Sequence, residues 1–143
     1  MKIITLAVVV LAAMTASAKN VSFRQLVSGS QTAATVATHL SFARDSQSFE
    51  RLWRNISGKS DWPPIDFKKE GVIVITAGRK PTAGYSIKVN GVTKVKGAFV
   101  VDAEVVSPPA GSFNAEVLTS PYVVIAVPKA GVSSARWKNP PKK

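Results

Sequence analysis

Val72-Ile73-Val74-Ile75 is apolar at every position, without alternation between polar and apolar side chains. A strand of this kind has two faces to bury, so it belongs in the middle of a sheet. The flanking segments supply partners for it. Downstream, Tyr85, Ile87 and Val89 alternate with Ser86, Lys88 and Asn90, and Phe99, Val101, Ala103 and Val105 alternate with Asp102 and Glu104. Both patterns predict half-buried strands. Tyr122 to Val127 is a further apolar strand, opened by Pro121 and stopped by Pro128. Upstream, residues 34–43 place Val36, Leu40 and Phe42 on one face and Thr35, His39 and Ser41 on the other. A shorter strand anchored by Phe23 is expected over Ser22 to Val27.

Between these strands the period changes. Phe49, Leu52, Trp53 and Ile56 stand at i, i+3, i+4 and i+7, one stripe of an amphipathic helix near residues 46–56. Asp45 or Ser46 can cap its start and Gly58 suits its exit. Trp53 lies on the apolar stripe and is expected in the core. The loop from Gly58 to Phe67 is kept extended by Pro63-Pro64. The expected architecture is α+β: a mostly antiparallel sheet, two-layer or sandwich-like, with the helix covering an apolar face. The turn between the strands of Tyr85–Val89 and Phe99–Val105 has two candidates, Asn90-Gly91 and Lys96-Gly97.

The chain has 143 residues, 45% of them hydrophobic, which suits a single domain with one sizeable core. It contains no cysteine, which removes disulfides, thiol nucleophiles and zinc ribbons, and it contains one histidine, His39. Met1-Lys2, the apolar run Ile3 to Ala13 and the small-x-small site Ala16-Ser17-Ala18 have the layout of a secretory signal peptide over residues 1–18. A lipoprotein anchor would need a cysteine at the cleavage point. The expected product is an exported domain, periplasmic or extracellular, spanning residues 19–132, followed by a basic tail, 133–143, expected to fray. No membrane span is expected after cleavage. From Lys19 onward the chain carries 18 Lys and Arg against 8 Asp and Glu, a net charge of +10. That excess favours acidic partners, whether a polymer, a lipid surface or a protein, without choosing among them.

Catalytic constellations are scarce. A serine triad has only His39 as its base, and the nearest approach to a nucleophile elbow, Gly84-Tyr-Ser-Ile-Lys88, ends in Lys where Gly is required. Asp102 and Glu104 share a strand face at a spacing that suits a solvated surface. No cofactor or metal motif is present, and the chain is expected not to be an enzyme. Two loops stand out instead. Gly78 to Tyr85 projects Arg79, Lys80, Thr82 and Tyr85 around the rigid Pro81, and Leu118 to Tyr122 carries Thr119, Ser120 and Tyr122. Loops placed by a rigid sheet commonly carry recognition, and Tyr and Arg are enriched in binding hot spots. These residues are candidate partner contacts. Arg136, Trp137, Lys138, Lys142 and Lys143 of the tail are candidates for contact with an acidic polymer.

Pro63-Pro64-Ile65-Asp66-Phe67, Val72-Ile73-Val74, Gly78-Arg-Lys-Pro-Thr-Ala-Gly-Tyr-Ser86, Thr119-Ser-Pro-Tyr122 and Val127-Pro-Lys129 together resemble the PrcB family, in order and spacing, from about Phe49 to Lys129. That resemblance implies a non-catalytic subunit that associates with a protease complex, and it favours the turn at Lys96-Gly97. Pro81-Thr-Ala-Gly-Tyr85 alone is also similar to one loop of chagasin-like cysteine-protease inhibitors, whose other inhibitory loops are missing here. The sequence thus implies an exported protein-binding module that stabilises or regulates an extracytoplasmic protease complex. The alternatives are a loop-based protease inhibitor and a basic adhesion module.

Overall fold

A computed structural model describes residues 17–142. The expected leader therefore falls outside the described residues, apart from Ser17 and Ala18, as does Lys143. The order of elements is β1 (Lys19–Val21), β2 (Arg24–Gly29), β3 (Thr38–Ala43), α1 (Ser46–Ser57), β4 (Glu70–Ala77), β5 (Ser86–Val95), β6 (Ala98–Val106), β7 (Tyr122–Pro128) and β8 (Ser134–Trp137). They form two four-stranded sheets, ordered β1-β5-β6-β8 and β2-β7-β4-β3. The pairings are antiparallel except β6 with β8, which is parallel. The α+β reading is borne out as a sandwich with a helical cover.

β4 lies between β3 and β7, and each residue from Gly71 to Ala77 is buried. Its side chains alternate between two cores. Ile73 and Ile75 join Val123, Ile125 and Val127 of β7 and Phe99 and Val101 of β6 between the sheets. Val72 and Val74 face the other way and pack with Val124 against Phe49, Trp53 and Ile56 of α1. Fully burying a Val or Ile is worth about 1.5–3 kcal/mol, so a strand buried on both faces anchors three layers at once. The loop after the helix completes the cover: Trp62, Ile65 and Phe67 pack on the same outer core.

The helix forms where its caps allow. Asp45 holds an extended backbone, and its Oδ1 accepts a hydrogen bond from the Ser48 N–H at 2.7 Å. At the far end Gly58 takes φ 67°, and its N–H donates to the Arg54 carbonyl at 3.0 Å. The N–H groups of Ala33 and Ala34 satisfy two further helix-end carbonyls, Ile56 O at 2.8 Å and Asn55 O at 2.9 Å. This explains one difference from the sequence reading. The strand expected over 34–43 starts only at Thr38, because Ala34 and its neighbours serve the helix terminus.

Three other expectations change. The strand expected over Ser22–Val27 begins only at Arg24 and runs on to Gly29, while Ser22 and Phe23 form the corner that leads into it from β1 in the other sheet. Asn90-Gly91 is no turn but a bulge inside β5, and the chain reverses at Lys96-Gly97 with φ 48° and 75°. The tail does not fray throughout. Ala135 and Trp137 turn inward against the inter-sheet core while β8 pairs with β6, which makes Ser134–Trp137 part of the sandwich.

Candidate functional site

β4 ends at one pole of the sandwich, where Gly78 turns the chain at φ 71°. A Cβ there would sit 2.9 Å from Thr38 Oγ1, so the position demands glycine sterically as well as conformationally. The segment that follows meets the approach to β7. Lys80 N–H donates to the Thr119 carbonyl at 2.7 Å, and Thr119 N–H returns a bond to the Lys80 carbonyl at 2.9 Å. Thr119 Oγ1 donates to the Thr82 carbonyl at 2.7 Å, and Ala83 N–H donates to the Ala115 carbonyl at 3.0 Å. The two loops singled out separately in the sequence are one hydrogen-bonded ledge.

The ledge divides its residues by role. Arg79 is exposed; Lys80, Thr82 and Tyr85 are half-buried, with Lys80 Nζ 5.9 Å from the centroid of the Tyr85 ring. Thr119 and Ser120 are only 6% and 7% exposed. The Ser120 hydroxyl lies 2.6 Å from the Thr32 hydroxyl, and Ser120 N–H donates to the Ser30 carbonyl at 2.9 Å. Expected among the partner contacts, they are nearly covered: they brace the ledge from beneath and show only a small edge of surface, in a shallow pocket shared with Arg79 and Leu118. Tyr122 is half-buried on the outer face of its sheet, its ring pressed over Gly29, where an added Cβ would lie 2.5 Å from Tyr122 Cε1.

What the sequence reading missed lies in the long connection from β6 to β7. Phe113 is fully exposed, and Val117 and Leu118 are 52% and 59% exposed. Polar turn bonds hold this loop in shape: Ser112 Oγ donates to the Pro109 carbonyl at 2.6 Å, and Asn114 Nδ2 donates to Ser112 Oγ at 2.7 Å. Long ordered loops are uncommon and often functional, and large apolar side chains left exposed on one are candidates for recognition contacts. A signal was available, since Phe113 stands among Gly111, Ser112 and Asn114 with no alternating partner to place it in a strand.

Elsewhere the chemistry is sparse. His39 is exposed on edge strand β3, beside a groove of about 290 Å³ between that strand and α1. Asp102 pairs with Lys138 at 3.4 Å, and Glu104 stands opposite Lys88. A larger groove of about 540 Å³ is lined by Trp53, Trp62 and Tyr122. Trp53 is a core residue as expected, 5% exposed, with Nε1 donating to the Asp61 carbonyl at 2.7 Å. Among the described residues no group of three or more His, Asp or Glu side chains gathers as metal ligands, and no helix is long and apolar enough to cross a membrane. The tail set splits: Trp137 is inward, Lys138 is ion-paired, Arg136 and Lys142 are exposed.

This is a β-sandwich whose distinctive surface is a ledge of loops. The segment from β4 through β7, residues 72–128, matches the family model described as PrcB C-terminal, which bears out the resemblance drawn from the sequence over that stretch. The match contains the whole ledge but neither α1 nor the Pro63–Phe67 motif. No curated protein and no solved structure matches the chain.

Proposed function

We propose that the protein is an exported, non-enzymatic binding module that stabilises or regulates an extracytoplasmic protease complex, and that it makes contact through the ledge. The PrcB match supports a role related to a protease-complex subunit. The observation that carries the contact surface is the exposure of Phe113, Val117 and Leu118 on a loop whose end is hydrogen-bonded to the segment that holds Arg79 and Tyr85. An aromatic and two aliphatic side chains on a braced loop supply contact area at low ordering cost, and a flanking guanidinium supplies orientation. The test places a photoreactive crosslinker at Phe113 and, as a control, at Lys96 in the β5–β6 turn at the other end of the sandwich. Crosslinks from Phe113 alone to a component of a secreted protease complex are expected, with a change in that complex's activity or lifetime. Equal labelling from both positions, or a complex indifferent to the module, overturns the reading. The sign of the activity change separates stabilisation from inhibition.

A further inference from the structure

The opposite pole of the sandwich collects cations from segments far apart in the sequence. Lys19 and Lys94 face each other across β1 and β5, and Lys96 occupies the adjoining turn. The loop after β7 packs beside that turn: Lys94 Nζ donates to the Ala130 carbonyl at 2.9 Å, and Ser133 N–H donates to the Gly97 carbonyl at 3.0 Å. Lys129, in the same loop, reaches the carbonyls of Arg44 and Phe67, and its N–H donates to the Lys69 carbonyl at 3.0 Å. Lys68 and Arg44 are exposed next to it. Three carboxylates share this end: Asp45 accepts from Ser48 at the helix cap, Asp66 Oδ1 accepts from the Lys68 N–H at 3.1 Å, and Glu70 pairs with Arg24 at 2.9 Å. The cations named here still outnumber them, and Asn139 and Pro141 of the tail lie beside Asp102 to Val105, away from this pole.

We infer that this basic pole rests on an anionic lipid surface. One observation favours a membrane over a free polymer. The cations belong to strand ends and turns of both sheets and line neither of the two grooves described above, which suits a plane more than a strand-shaped polymer. Docked in this way, the ledge at the other pole points away from the membrane, free for a partner. The inference stands apart from the proposed protease role and survives its failure.

The test uses the chain from Lys19 onward, which holds all eight strands, the helix and both cores. Partition is measured into phosphatidylcholine vesicles with and without phosphatidylglycerol. One variant carries Lys19→Gln, Lys68→Gln and Lys96→Asn; a charge-matched control carries Lys88→Gln, Arg136→Gln and Lys142→Gln. Each cation near an anionic surface is worth about fivefold in partitioning, so the pole variant is expected to lose at least roughly tenfold and the control less than about threefold. Equal losses in the two variants mean that net charge alone acts and overturn the inference. So does equal uptake by neutral vesicles, and so does binding of soluble polyphosphate without any vesicle partition. Unchanged circular dichroism in both variants excludes misfolding as the cause.

Discussion

Gly84 and Asn114 touch so closely that a Cβ on Gly84 would lie 2.5 Å from Asn114 Oδ1. With φ 91°, Gly84 lets the Arg79–Tyr85 turn lie flat beneath the β6–β7 loop. Gly84→Ala is expected to strain both segments and cost about 1–3 kcal/mol, measured by urea unfolding. An unchanged midpoint would mean that the two loops are not coupled.

Phe113 tests contact without confounding stability. It packs on nothing, so Phe113→Ser should shift unfolding by no more than about 0.5 kcal/mol. Affinity for the partner captured at that position should fall tenfold or more. Thr119→Val should behave the other way, loosening the ledge through the lost bond to Thr82 and lowering stability before it lowers affinity.

Phe49 is the hub of the outer core, with ring centroids 5.8 Å from Trp53, 5.5 Å from Trp62 and 6.0 Å from Phe67. Phe49→Ala should cost about 3–5 kcal/mol and release the loop of Trp62 to Phe67, seen as a red shift in tryptophan fluorescence at low urea.

Acid should loosen both the helix start and the seam at β2. The Ser48 backbone N–H holds the Asp45 carboxyl below its ordinary range, and hydrogen bonding to the Arg24 guanidinium does the same for Glu70. Because the folded values are depressed, the stabilisation is fully present above the usual carboxylate pKa of about 4 and is lost as pH falls through the lowered values. A melting temperature that declines below about pH 4, with a shallower decline in Asp45→Asn and in Glu70→Gln, is the expected result. Parallel curves for the variants and the native chain would remove both groups from the account.

Trp137 distinguishes a folded tail from a frayed one. Trp137→Ala should destabilise by about 1–3 kcal/mol, since the indole packs on the inter-sheet core. Amide exchange at Lys138, whose N–H donates to the Val101 carbonyl at 2.8 Å, should accelerate in that variant.

The periodic elements were legible in the sequence because burial wrote them there: the unbroken Val72–Ile75 run marked a strand covered on both sides, and the Phe49–Ile56 stripe marked its cover. Elements made by pairing alone were not. Ser134–Trp137 is four residues long, too short for the alternation of Ala135 and Trp137 with Ser134 and Arg136 to stand out, and its parallel partner β6 lies far back in the chain. Asn90-Gly91 carries the composition of a hairpin turn, yet β6 offers continuous partners on both sides of it, so a bulge takes its place. At the ledge, Arg79 and Tyr85 were visible by residue type. The exposure of Phe113 and the burial of Thr119 and Ser120 depend on how two distant loops meet, which no local pattern encodes.

The position of β7 carries one more implication. This strand sits between β2 and β4, so the first long strand of its sheet has no neighbour until Tyr122–Pro128 has been made. Contacts so distant along the chain close late and slowly. In a growing polypeptide β3–β4 and the β5–β6 hairpin can pair early, whereas β2 stays an unclaimed edge until the last strand of its sheet emerges and staples the two ends of the domain together.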